Sequence, residues 1–137
     1  MDCLKKYTAT SDFYVFSGSS LTLNDGIFST SGNVMILNPN TSTRYWTSPI
    51  TVEFDVNTVN NLAIQIGETT NVFNQRLSSL GANDGSHIKI VYDGTTVTPF
   101  VDGVEKTSYK VDFIFTTQYY FNIYNSGAFS NFIVYSV

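Results

Sequence analysis

Groups able to do covalent chemistry are scarce in this chain. His87 is the only imidazole and Cys3 the only thiol, more than eighty residues apart, and nothing in the spacing pairs them as a nucleophile and its base. A Gly-x-Ser-x-Gly elbow that would expose a serine is missing, as is a glycine-rich phosphate loop. One cysteine cannot close an intrachain disulfide, and with one histidine it cannot build a Cys/His metal cluster. Asn24-Asp25-Gly26 and Asn83-Asp84-Gly85-Ser86 offer oxygen ligands. No stretch, however, supplies the several carboxylates that gather about six to eight oxygens round Ca²⁺. These loops read as turns, and no cofactor is expected.

The chemistry that the residues do support is recognition. Flat rings cover the apolar faces of pyranoses, and amides or carboxylates take up sugar hydroxyls. In Tyr120-Phe121-Asn122-Ile123-Tyr124, alternation sends Tyr120, Asn122 and Tyr124 to one outward face. Gln65, Glu53 and Asp55 join that face if their strands neighbour in one concave sheet. Trp46, in Arg44-Tyr45-Trp46-Thr47, is a second ring platform. The Tyr-Asn-Tyr face also suits ordinary cross-strand packing, and Trp46 equally suits the core.

The elements that must hold these residues are strands. No window keeps apolar residues at helical spacing, whereas a period of two recurs throughout. Ile50, Val52, Phe54 and Val56 alternate with Thr51, Glu53 and Asp55; Leu62, Ile64 and Ile66 with Ala63 and Gln65; Ile88, Ile90 and Tyr92 with His87, Lys89 and Val91. The closing segment from Phe129 to Tyr135 is apolar on both faces, as a strand central to two layers would be. Asp93-Gly94 and Asp102-Gly103 read as two-residue hairpin turns, since both residue types accept positive φ. They predict a meander over about 87–92, 95–102 and 104–109. Pro99 inside its middle strand argues for an edge or a bulge. Some ten to thirteen short strands fit two packed antiparallel sheets better than one.

Composition agrees and excludes other classes. The chain has 137 residues, 42% hydrophobic and 13% charged, enough for one domain with a core and too apolar for disorder. A net charge of -4, with Lys5-Lys6 the only adjacent basic pair, argues against nucleic acid. The N-terminus reads without a secretory signal, and no apolar run approaches the roughly 20 residues of a membrane span.

His87 to Gly103 carries a strand ending in Tyr-Asp-Gly, a hairpin, and a strand ending in Val-Asp-Gly. This pattern resembles concanavalin A-like lectin/glucanase domains and their laminin G-like relatives. Pro49 to Val56 is similar to the early long strand of that superfamily, Phe129 to Tyr135 to its closing strand, and Phe13 to Asn33 to its opening hairpin. The resemblance implies an all-β, two-sheet antiparallel jelly-roll sandwich. It also brings to mind the Glu-x-Asp-x-x-Glu strand of its retaining glucanases. Glu53-Phe54-Asp55-Val56-Asn57-Thr58 matches the first two acids but has Thr58 where the third carboxyl must protonate the leaving oxygen.

The expectation is therefore a protein that is not an enzyme: a recognition module binding a glycan or cell-surface partner, extracellular or on a virion, as part of an adhesin or a virus or phage attachment structure. A structural assembly domain is the alternative, and a glycoside hydrolase a weaker one. Stacking one sugar on one ring removes ~50 Å² of apolar surface, worth about 1 kcal/mol. So weak a site suggests a homo-oligomer or several modules acting by avidity.

Overall fold

The computed structural model describes residues 2–67, 72–111 and 118–136. It contains fourteen strands and two short 3₁₀ turns, Thr10–Asp12 and Leu77–Leu80. The strands are β1 (Cys3–Tyr7), β2 (Phe13–Val15), β3 (Ser20–Asn24), β4 (Ile27–Ser31), β5 (Asn33–Ile36), β6 (Ile50–Thr58) and β7 (Ala63–Gly67). They continue with β8 (Val72–Arg76), β9 (His87–Tyr92), β10 (Thr96–Val101), β11 (Val104–Glu105), β12 (Tyr109–Lys110), β13 (Tyr120–Tyr124) and β14 (Gly127–Ser136).

Two antiparallel sheets result. The larger runs β11-β10-β9-β6-β14-β4-β3, with β1 beside β14 and β12 beside β10; the smaller runs β2-β5-β13-β7-β8. The chain crosses between the layers several times, and β6 lies in the larger sheet while β7 lies in the smaller. The apolar face of each alternating strand points between the layers. Phe132 of β14 shows how the core closes: its ring centroid lies 5.3 Å from Tyr7 and Phe54 in its own sheet, and 5.6 Å from Phe13 and 6.3 Å from Phe121 in the opposite one. Val34, Val52, Phe54, Leu62, Ile64, Ile88 and Ile123 are fully buried in the same core.

Punctuation follows the turn chemistry, with one difference. Asp25 and Asp102 take φ of 51° and are followed by Gly26 and Gly103 at 77° and 81°, the two-residue geometry that matches strand twist. Asp93-Gly94 instead belongs to a longer turn. Tyr92 pairs with Val97, and the Asp93 carboxylate accepts the backbone N–H of Thr95 and of Thr96 at 2.9 and 2.8 Å. Pro99 pairs with Ile90 of β9 on one side. On its other side its carbonyl accepts only the Lys106 N–H, at 2.8 Å, in the gap between β11 and β12. The absent N–H therefore falls where the ladder is already broken.

The closing strand departs from simple alternation. Between Ser130 and Ile133 the register against β6 shifts, and Asn131 takes φ of 53°. This bulge turns Phe129 and Phe132, three residues apart, toward the same core. The strand looks apolar on both faces because its phase changes midway.

Candidate functional site

The outer face of the five-stranded sheet collects one continuous row. Tyr14 pairs with Met35, Met35 with Asn122, Asn122 with Gln65, and Gln65 with Asn74. Their sequence neighbours Phe13, Ile36, Phe121, Ile123, Ile64 and Ile66 are core, so period two leaves the row outward. Two residues along, Asn33, Tyr124, Ala63 and Arg76 form a second row. On the opposite flank Tyr120 pairs with Gly67.

Asn122 sits at the centre. It is 7% exposed, and its amide N–H groups reach Asn33 Oδ1 and Gln65 Oε1, both at 3.3 Å. Its carbonyl oxygen is buried and has no hydrogen-bond partner. Such an acceptor costs about 1–3 kcal/mol unless something donates to it. Tyr120 and Tyr124 flank it along β13, and the Tyr124 hydroxyl donates to Asn74 Oδ1 across β7.

The β2 end of the face is aromatic and cationic. The Arg44 guanidinium lies 4.6 Å from the Tyr14 ring, 5.3 Å from Tyr45 and 5.9 Å from Phe16, and Tyr45 in turn packs on Tyr120 at 5.2 Å. Arg76 stands at the β8 end, exposed. No Asp or Glu occurs in the five strands of this sheet.

Of the residues expected from sequence, the structure brings together Tyr120, Asn122, Tyr124 and Gln65. It does not bring Glu53 and Asp55 to them. Both lie on β6, in the other sheet, facing outward from the opposite side of the sandwich. There they grip His87, with Nδ1 2.8 Å from Asp55 and Nε2 2.9 Å from Glu53, while Asn131 of the bulge donates to Asp55 at 2.7 Å. Burial of the ring opposes protonation, but these carboxylates outweigh it and hold the His87 pKa above its ordinary value. The bonds from Asn131 and His87 hold Asp55 below the usual carboxylate range.

Trp46 must also be corrected. It is 2% exposed, its backbone pairs with Tyr119, and its indole N–H donates to the Ile36 carbonyl at 3.3 Å. A side chain so enclosed offers no platform to a ligand. Sequence reasoning missed Tyr14, Asn33, Arg44, Asn74 and Arg76. Tyr14, Asn33, Asn74 and Arg76 lie on short or edge strands with little alternation to reveal a face, and only the register across the sheet places them; Arg44 lies outside the strands and is placed by its contacts with Tyr14, Phe16 and Tyr45.

Searches with the sequence find no matching family model and no matching curated protein. The fold does find relatives. Two proteins of Parabacteroides distasonis ATCC 8503, each provisionally designated a glycosyl hydrolase, superpose with TM-scores of 0.63 and 0.55 at 9% identity. The alignments cover 97% of this chain in both cases and 98% and 100% of theirs. The likeness is one of fold: the chain is an all-β sandwich of two antiparallel sheets. An alginate lyase of polysaccharide lyase family 7 is more distant, with a TM-score of 0.47 and 13% identity over 96% of this chain and 84% of its own.

These neighbours overturn the expectation that the protein is not an enzyme. That expectation rested on the acid motif broken at Thr58, on the separation of His87 from Cys3 and on the missing Gly-x-Ser-x-Gly elbow, each of which concerns one kind of active site. Nothing among the neighbours speaks to adhesion or to a virion.

Proposed function

We propose that the protein is carbohydrate-active and holds a glycan chain across the outer face of its five-stranded sheet, along the row from Tyr14 to Asn74. The observation that carries this reading is the buried, unpartnered carbonyl oxygen of Asn122 between two tyrosines. The phenol rings would cover the apolar faces of a sugar, and the Asn122 amide, held by only two long bonds, would turn outward so that a sugar hydroxyl donates to its carbonyl oxygen. The carbohydrate designations of the fold's neighbours support the same class.

The groups present also bear on the reaction. Hydrolysis of the usual kind needs two carboxyls on one face, and the five strands supply none. The proton-transfer groups here are the phenols of Tyr120 and Tyr124, with amides and Arg76 nearby to draw off the charge of a carboxylate. That set suits an elimination in which Tyr120, entering as the phenolate, takes the proton beside a uronate carboxylate, the carbon–oxygen bond to the neighbouring sugar breaks as the double bond forms, and Tyr124 gives its proton to the departing glycosidic oxygen. Eliminative cleavage of an acidic glycan is thus the reaction this face favours.

The test is titration and incubation with polymannuronate, polyguluronate, cellulose and laminarin oligosaccharides. Binding that Asn122→Ala weakens supports the glycan site, and growth of ultraviolet absorbance from a new unsaturated end supports elimination. Absence of binding to all four at millimolar ligand would overturn the reading.

A further inference from the structure

A second compartment adjoins the end of the row. Beside the edge strand β8 lies an open cavity of about 710 Å³, within the size range of sugar and cofactor sites. One wall is β8 with the turn Leu77–Leu80, from the smaller sheet. The other is the segment 105–109, which belongs to the larger sheet. Asn74, the last residue of the outer row, lines this cavity too.

The far wall is fixed to β10 at several points. Glu105 pairs with Phe100 and Tyr109 with Val97, the Lys106 N–H donates to the Pro99 carbonyl at 2.8 Å, and Ser108 Oγ lies 2.9 Å from Thr98 Oγ1. The near wall is fixed by the ladder of β8 to β7. The Tyr109 ring meets Phe73 across the gap at 6.3 Å. Two walls so held present a preformed slot, and no wall need be ordered on binding.

The lining identifies what suits it. Phe73, Leu80 and Tyr109 give apolar and ring surface, Tyr109 being 41% exposed. Gln75, Ser79 and Thr107 give amide and hydroxyl groups, and Glu105 and Lys106 place one charge of each sign side by side. That balance differs from the outer face, where Arg44 and Arg76 have no acidic counterpart on the five strands. Rings, neutral hydrogen-bonding groups and no net charge match a neutral hexose.

We propose that this cavity is a further sugar subsite contiguous with the outer face. A glycan crossing the strands leaves the sheet at Asn74 and seats its next unit, a neutral hexose, between Tyr109 and Gln75. The inference rests on the glycan reading of the face and adds that the preferred ligand is an oligosaccharide that turns the sheet edge.

The experiment is calorimetric titration of the whole chain with mannuronate and cello-oligosaccharides of two to six units. It compares the native protein with Tyr109→Ala, Gln75→Ala and Asn122→Ala. In the native protein, affinity rises with length in both series, and for the neutral cello-oligosaccharides it steps up once the chain reaches the cavity. Tyr109→Ala and Gln75→Ala remove that step, weakening the longest oligosaccharides about five- to tenfold and leaving the shortest unchanged, while Asn122→Ala weakens every length. If Asn122→Ala weakens binding but both cavity variants bind all lengths as the native protein does, the subsite is overturned and the face reading survives. Complete absence of binding to the native protein overturns both. Tyr109 and Gln75 are exposed, and an unchanged melting temperature verifies that the variants fold.

Discussion

At the scale of single residues, Asn122 separates stability from function. Its carbonyl is buried without a partner and its amide bonds are long, at 3.3 Å, so the side chain costs the free protein more than it returns. Asn122→Leu, close in volume and without polar atoms, is expected to melt no lower than the native protein in a thermal scan. The same variant should bind glycan at least about tenfold more weakly by titration, because the waiting acceptor is gone. A lower melting temperature would mean that the amide earns its place structurally. His87 gives a prediction of the opposite kind. Its folded pKa is raised above the ordinary value near 6.5, so its contribution is fully present below pH 6.5 and is lost as pH rises through the folded pKa. Asp55, held low, contributes above its ordinary value near 3.8 and loses that contribution as pH falls through the folded pKa. Urea midpoints of the native protein and His87→Gln should therefore differ most between about pH 4 and pH 6.5 and converge as pH rises through the raised folded pKa. The gap is small because the imidazole is 47% exposed.

At the scale of elements, β14 carries the sharpest constraint. Its bulge holds Asn131 at φ of 53°, a region that Asn tolerates, Gly enters freely and β-branched residues avoid. Asn131→Val should lower the unfolding free energy by about 1–3 kcal/mol, whereas Asn131→Gly, losing only an exposed bond to Asp55, should stay within about 1 kcal/mol. Denaturation in urea distinguishes them, and equal losses would show that the side-chain bond, and not the backbone, is what matters. The same bulge marks the limit of what alternation reveals. The strands from Ile50 to Val56 and from His87 to Tyr92 read correctly because each keeps one phase. The stretch from Phe129 to Tyr135 does not, since its phase changes inside it. Alternation likewise assigns Glu53, Asp55, Gln65 and Asn122 to outer faces but cannot say to which sheet. Gln65 and Asn122 meet because β7 and β13 pair. Glu53 and Asp55 are carried to the far side by the crossing from β6 to β7, a long-range choice that no local window contains. Arg44 and Asn74 were illegible for the same reason, their role arising only from strands distant in sequence.

At the scale of the whole molecule, charge sets a condition on the ligand. The chain carries a net charge of -4, yet the five strands of the proposed face contain no acid, and Arg76 and Arg44 stand at its two ends. An acidic oligosaccharide is then repelled at long range and attracted on contact. Raising ionic strength from about 0.01 to 0.15 M shortens the screening length from about 30 to 8 Å. That removes the repulsion of the whole before it weakens contacts of a few ångströms. Still higher salt erodes the contacts as well. Affinity for mannuronate hexamer should therefore rise and then fall with salt, while affinity for cellohexaose should stay flat, as read by titration at low, physiological and high salt. Arg76→Gln should flatten the falling limb and leave the rising one, since the latter belongs to the net charge. An acidic and a neutral ligand with the same salt profile would show that the arginines do not face the bound chain, and the preference for a uronate would go with them.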